Sequence, residues 1–69
     1  MRITLNNREE VLETKQATLT ISELLTLKRF SFKSLVIKVN GKLVKHEERD
    51  AATFKEGDNV EVIHLITGG

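Results

Sequence analysis

Thr20-Ile21-Ser22-Glu23-Leu24-Leu25 is the stretch that decides the fold, because it predicts where a helix begins and which face of it is buried. Threonine followed three residues later by glutamate is typical of a capping box, in which Thr20 and Glu23 hydrogen-bond each other's backbone amides. The three apolar residues of the stretch fall on one helical face. The sequence therefore predicts a helix over about 20–27, packed on a sheet through that face.

Strand signals lie on both sides of this helix. Ile3 and Leu5 alternate with polar residues, and the turn Asn6-Asn7 leads to a second, weaker strand over about 9–13. After the helix, the apolar run 35–39 predicts a central strand. Asn40-Gly41 follows it directly, which indicates a tight hairpin that returns over 42–44.

The remainder of the chain predicts two loops and a last strand. In the loop 28–34, we expect Phe30 and Phe32 to cover the end of the core. Residues 45–50 are charged and are expected to be irregular, and the last strand is predicted over 59–66. The result is an α+β architecture of order β-β-α-β-β-β, with one helix across one face of a mixed sheet of about five strands.

Length and composition limit the functions that this protein can have. The 69 residues suffice for one domain, predicted over 1–66. Cysteine is absent, which excludes disulfides, thiolate metal sites and a cysteine nucleophile. The net charge of +1 comes from scattered residues, so we expect no nucleic-acid partner. No apolar run is long enough to span a membrane, and a cytoplasmic location is expected.

No catalytic centre is visible in the sequence. His46 and His64 have no histidine or cysteine partners at metal-ligand spacing, so we expect no metal and no cofactor bound by the chain itself. No arrangement of nucleophile and base is evident either. We therefore predict that the protein is not an enzyme and that other proteins act on it.

The carboxyl end carries the strongest functional signal. Gly68-Gly69 has no side chains to pack and is costly to order, so 67–69 is predicted to be a flexible tail that enters a partner's narrow active site. We interpret the Gly69 carboxylate as the reactive group, with Gly68 and Thr67 leading to it. Ile63 and Leu65 fall on the face of the last strand that points away from the helix; with Ile66, they are predicted to bind a partner.

Together these features resemble the β-grasp, ubiquitin-like sulfur carriers of thiamin thiazole biosynthesis, in the ThiS/MoaD superfamily. The matching pieces are the helix start, Val39-Asn40-Gly41 with Val44, the stretch 54–62 and the terminal Gly68-Gly69. The resemblance implies that an E1-like enzyme, which binds the ATP, adenylates the Gly69 carboxylate. Sulfur from a donor such as a cysteine desulfurase then gives a thiocarboxylate, which supplies thiazole synthase.

Other functions remain open at this point. The small subunit of molybdopterin synthase shares the fold and the Gly-Gly end, but it is usually longer and often has a Pro-Pro pair before the tail, whereas this sequence has no proline. A carrier for another sulfur metabolite and a ubiquitin-like protein modifier are alternatives within the fold. A ubiquitin-like regulatory binding module is an alternative from another class, although it would not need a free Gly-Gly end.

Overall fold

The computed structural model describes residues 1–30 and 34–65. Part of the predicted loop, including Phe32, and the carboxyl end from Ile66 to Gly69 lie outside the described residues. The elements are β1 (Arg2–Leu5), β2 (Arg8–Val11), β3 (Thr18–Thr20), α1 (Ile21–Leu27), β4 (Leu35–Val39), β5 (Lys42–Val44), a 3-10 turn (His46–Glu48), β6 (Thr53–Lys55) and β7 (Asn59–His64).

Five of these strands form one mixed sheet in the order β2-β1-β7-β4-β5. The pairing of β1 with β7 is parallel, and the other three pairings are antiparallel. The first and last strands of the chain are therefore neighbours inside the sheet. This topology, with the one α-helix found in the described residues, confirms the β-grasp prediction.

The predicted helix begins and ends close to where the sequence placed it. The Glu23 amide donates to Thr20 Oγ1 at 3.1 Å, and the Thr20 amide donates to Glu23 Oε1 at 2.8 Å, which confirms the capping box. Ile21 and Leu24 are fully buried, and Leu25 packs partly against the core. The helix ends at Leu27, and Arg29, two residues later, has positive φ.

Both predicted hairpins are present. Asn6 and Asn7 have φ of 51° and 66°, and Asn40 and Gly41 have φ of 51° and 82°. Positive φ at both central residues is what a type I′ turn requires, and it matches the right-handed twist of the strands. The bounds differ slightly from the prediction, since β2 covers Arg8–Val11 and β7 ends at His64.

A second, two-stranded sheet was not predicted. β3 pairs with β6 antiparallel, and each contributes one buried side chain, Leu19 and Phe54. A strand of three residues offers a single alternation, which is too little for a period-two signal. The prediction of an irregular stretch at 45–50 was also incomplete, because His46–Glu48 forms a 3-10 turn.

The described core is entirely apolar and lies between α1 and the large sheet. Phe30 packs against it, as predicted for the loop after the helix. No described helix is long and apolar enough to cross a membrane. The buried residues are Ile3, Leu5, Leu12, Leu19, Ile21, Leu24, Ile37, Val44, Phe54, Val60 and Val62.

Candidate functional site: the last strand and the open sheet face

β7 leads towards the carboxyl end from the middle of the large sheet. It pairs antiparallel with β4 over five residue pairs, from Val39–Val60 to Leu35–His64. Backbone hydrogen bonds extend this pairing at both ends, from the Asn40 amide to Asn59 at 2.6 Å and from the Leu65 amide to Ser34 at 3.0 Å. The chain is therefore held by the sheet up to Leu65, four residues before Gly69.

The two faces of β7 differ sharply in exposure. Val60 and Val62 point into the core and are 0% and 6% exposed. Ile63 and Leu65 are 41% and 48% exposed, because the face of the sheet on which they lie is not covered by the helix. The prediction that these two side chains are exposed next to the tail is confirmed, whereas their binding role stays a prediction.

Two further residues extend this apolar surface. Val36 is half-buried and lies directly opposite Ile63 in the β4–β7 pairing. Leu43 is 55% exposed on the next strand, where it pairs with Lys38. We call Val36, Leu43, Ile63 and Leu65 the open-face patch. Leu43 was not predicted as part of this surface, although the alternation in 42–44 places its side chain on the other face of β5 from the buried Val44.

The remaining predicted site residues, Ile66, Thr67, Gly68 and Gly69, lie outside the described residues. Within 1–30 and 34–65, no three His, Cys, Asp or Glu side chains lie close enough together to hold a metal ion. The described part of the site is therefore an apolar surface beside the strand that carries the tail.

A family model matches nearly the whole chain, over residues 2–69, and it is that of the ThiS family. The chain belongs to the ThiS family. Members of the ThiS family are small sulfur carrier proteins and not enzymes, which confirms the prediction that this chain is not an enzyme. Family membership also implies, in general, partners of the E1-like and thiazole synthase classes.

Solved structures agree with the ThiS assignment. The crystal structure of a thiamine biosynthesis protein (ThiS) from Geobacter metallireducens is 28% identical, with a TM-score of 0.86 and full coverage of both chains. A solution structure of a thiamine biosynthesis protein from the same organism is also 28% identical; the match covers 100% of this chain and 88% of that one, with a TM-score of 0.81. No curated protein matches this chain. These findings support a sulfur carrier role in thiamine biosynthesis.

Proposed function

We propose that this protein carries sulfur as a thiocarboxylate on Gly69 and delivers it to thiazole synthase. One observation carries the proposal. β7 is an inner strand of the sheet, and two exposed apolar residues, Ile63 near its end and Leu65 just after it, precede Gly68-Gly69 by a few positions. Because backbone hydrogen bonds to β4 and Ser34 hold the chain up to Leu65, the short tail starts from a fixed position. An apolar surface at that base gives a partner something to bind while the tail enters its active site.

The chemistry requires activation of the tail, because a carboxylate is a poor acyl donor. In the E1-like partner, a Gly69 carboxylate oxygen attacks the α-phosphorus of ATP and pyrophosphate leaves. The terminal sulfur of a persulfide, formed on a cysteine of a donor such as a cysteine desulfurase, then attacks the carbonyl carbon and AMP leaves. A second thiol, acting as the reductant, cleaves the S–S bond of this acyl persulfide, which releases the acyl sulfur and leaves the two thiols joined as a disulfide. The product is the thiocarboxylate, whose sulfur is the nucleophile offered to thiazole synthase.

The residues of the tail suit this chemistry. Gly68 and Gly69 lack Cβ atoms, so an active-site slot can be narrow enough to exclude other residues at these positions. We propose that 67–69 is a flexible tail on a domain of residues 1–66, and that the tail is ordered only inside a partner. Ile63, Leu65 and Ile66 would bind the activating enzyme and the synthase in turn, in the cytoplasm.

The decisive experiment is reconstitution with the activating enzyme, ATP and a sulfur donor, followed by intact-mass spectrometry. We expect a gain equal to one sulfur replacing one oxygen, localised to Gly69 by fragmentation. Deleting Gly69 should abolish the gain while thermal stability stays nearly unchanged, because all described core residues precede Ile63. Full sulfur transfer by the deletion variant in a thiazole-forming assay would overturn the proposal.

A further inference from the structure

The turn Asn40-Gly41, between β4 and β5, combines the two residue types that are most open to spontaneous chemical change. Asparagine is thermally labile, because the backbone nitrogen of the next residue can attack its side-chain amide carbon. A Cβ on that next residue hinders the attack, and glycine has none. Of the asparagines at 6, 7, 40 and 59, only Asn40 precedes glycine. Both residues of the turn are exposed, so water has access to them.

The reaction needs no other protein and no oxidant or reductant. The Gly41 nitrogen bonds to Cγ of Asn40, the bond from Cγ to Nδ2 breaks, and ammonia leaves with the proton of the Gly41 amide. The product is a five-membered cyclic imide. Water opens the imide either at Cγ, which gives aspartate, or at the backbone carbonyl, which gives isoaspartate with the main chain running through Cβ and Cγ.

In the folded protein, hydrogen bonds hold the Asn40 side chain away from this attack. Asn40 Nδ2 donates to Asp58 Oδ1 at 3.2 Å, and Asn40 Oδ1 accepts from the Asn59 amide at 2.9 Å. The Asn40 amide also donates to the Asn59 carbonyl at 2.6 Å. Both polar atoms of the side chain are therefore directed at Asp58 and Asn59. Both of these bonds must break before Cγ can turn towards the Gly41 nitrogen.

Asp58 is itself held in place by the fold. The Lys55 amide donates to Asp58 Oδ2 at 2.9 Å, and the Asp58 amide donates back to the Lys55 carbonyl at 3.1 Å. The Asp58 carbonyl accepts from the Thr4 amide of β1 at 3.0 Å. The position of the Asn40 side chain thus depends on segments that are distant in sequence and meet only in the folded domain.

We propose that Asn40 is a site of spontaneous deamidation, which Asp58 and Asn59 keep unmodified while the domain is folded. This goes beyond the sulfur-carrying role, because it involves neither Gly69 nor the open-face patch. Unfolding removes the protection, and the products disfavour refolding. Aspartate places a carboxylate opposite Asp58 where a donor was, and isoaspartate lengthens the main chain of a two-residue turn. A molecule that has been unfolded is thereby marked.

The test follows the full natural chain at the same mildly alkaline pH and temperature, folded and unfolded in guanidinium chloride. Intact-mass spectrometry measures the conversion, and peptide mapping locates it. We expect conversion at Asn40 in the unfolded chain, and conversion at least about fivefold slower in the folded chain, since two side-chain hydrogen bonds must break. Equal rates in the two states, or conversion mainly at Asn6, Asn7 or Asn59, would overturn the proposal.

A pair of variants tests the role of Asp58. Asp58→Ala removes the acceptor of Asn40 Nδ2, and the folded variant should deamidate about two- to tenfold faster than the natural protein. Asp50→Ala is the matched control, because it removes the same charge and the acceptor of the Ser22 hydroxyl, at the start of the helix. It should convert at the natural rate. An unchanged rate in Asp58→Ala, or equal acceleration in both variants, would overturn the proposal. If Asp58→Ala does not fold, the comparison of the folded and unfolded natural chain decides.

A third variant tests the damage that conversion causes. Asn40→Asp reproduces the aspartate product, and its melting temperature at neutral pH should lie below that of the natural protein. Asn7→Asp is the matched control, since it adds the same charge in the other asparagine turn, where the side chain makes no hydrogen bond among the described residues. A melting temperature of Asn40→Asp no lower than that of Asn7→Asp would overturn the proposed effect on refolding.

Discussion

Asn6 Oδ1 accepts a hydrogen bond from the Val62 amide at 2.8 Å, across 56 positions of sequence. The Asn6 amide also donates to the Val60 carbonyl at 3.0 Å. Asn6 therefore continues the pairing of β1 with β7 past Leu5, where the β1 backbone has already turned away with positive φ. The Asn6 side chain thus accepts the hydrogen bond from β7 that the backbone of a longer β1 would accept.

Replacing Asn6 with alanine should destabilise the protein, because it leaves the partly buried Val62 amide without its acceptor. Asn7→Ala is the matched control, since Asn7 also has positive φ and its side chain makes no hydrogen bond among the described residues. We expect the loss in Asn6→Ala to exceed that in Asn7→Ala by about 1–3 kcal/mol. Urea unfolding of both variants measures the difference; equal losses would mean that only the backbone conformation matters.

Leu24→Ala should remove a large part of the protein's stability. Leu24 is fully buried in the core, and deleting such a side chain costs about 2–5 kcal/mol of unfolding free energy. Leu27→Ala is the control on the same helix: its side chain is 49% exposed, and we expect a loss below about 1 kcal/mol. Similar urea midpoints for the two variants would contradict the assignment of the buried helical face.

Ile63→Glu should weaken binding to the activating enzyme while the fold persists. Its side chain is in the open-face patch, so the charge is placed in the proposed contact without disturbing the core. We expect at least about a tenfold rise in Kd, measured by titration calorimetry. Val11→Glu is the matched control, because Val11 is 53% exposed on the far edge strand β2. A similar rise in both would show that added charge, and not the patch, is responsible.

Acid should weaken the helix start through Glu23. Hydrogen bonding from the Thr20 amide, with a smaller contribution from the Thr20 side chain, lowers the pKa of the Glu23 carboxyl below its ordinary value of 4.5. The folded-state pKa is thus below the unfolded one, so the stabilisation is complete above about pH 4.5 and is lost as the pH falls through the folded value.

Glu23→Gln provides the comparison for this acid effect. Glutamine keeps the capping hydrogen bond but does not titrate, so the melting temperature of this variant should fall less than that of the natural protein between pH 6 and pH 3. Thermal melts of both proteins across this pH range measure how steeply each melting temperature falls with pH. Identical slopes would show that Glu23 does not contribute to the acid sensitivity.

Relaxation measurements test the proposed tail. If 67–69 enters a partner's active site, we expect low NMR order parameters for Gly68 and Gly69 in the free protein and high values in the complex with the activating enzyme. The amides of Val60 and Val62, held between β1 and β4, are the internal reference for rigid backbone. High order parameters for the two glycines in the free protein would contradict the carrier mechanism as proposed.

Local signals in the sequence determined the helix, the hairpins and the candidate surface. The capping box at Thr20 and Glu23 and the turn Asn40-Gly41 act over a few residues, so neighbouring residue types are enough to specify them. The alternation in β7 also predicted that Ile63 and Leu65 are exposed, because the side-chain period of a strand is two.

Only the tertiary structure decided which distant segments meet. The pairing of β3 with β6 involves three residues on each side, and the bond from Val62 to Asn6 joins the two ends of the described chain. Leu43 and Thr53 line one groove although they belong to two separate sheets. Such contacts have no local sequence signal, since their free energy comes from burial and hydrogen bonding that arise only when the whole domain has folded.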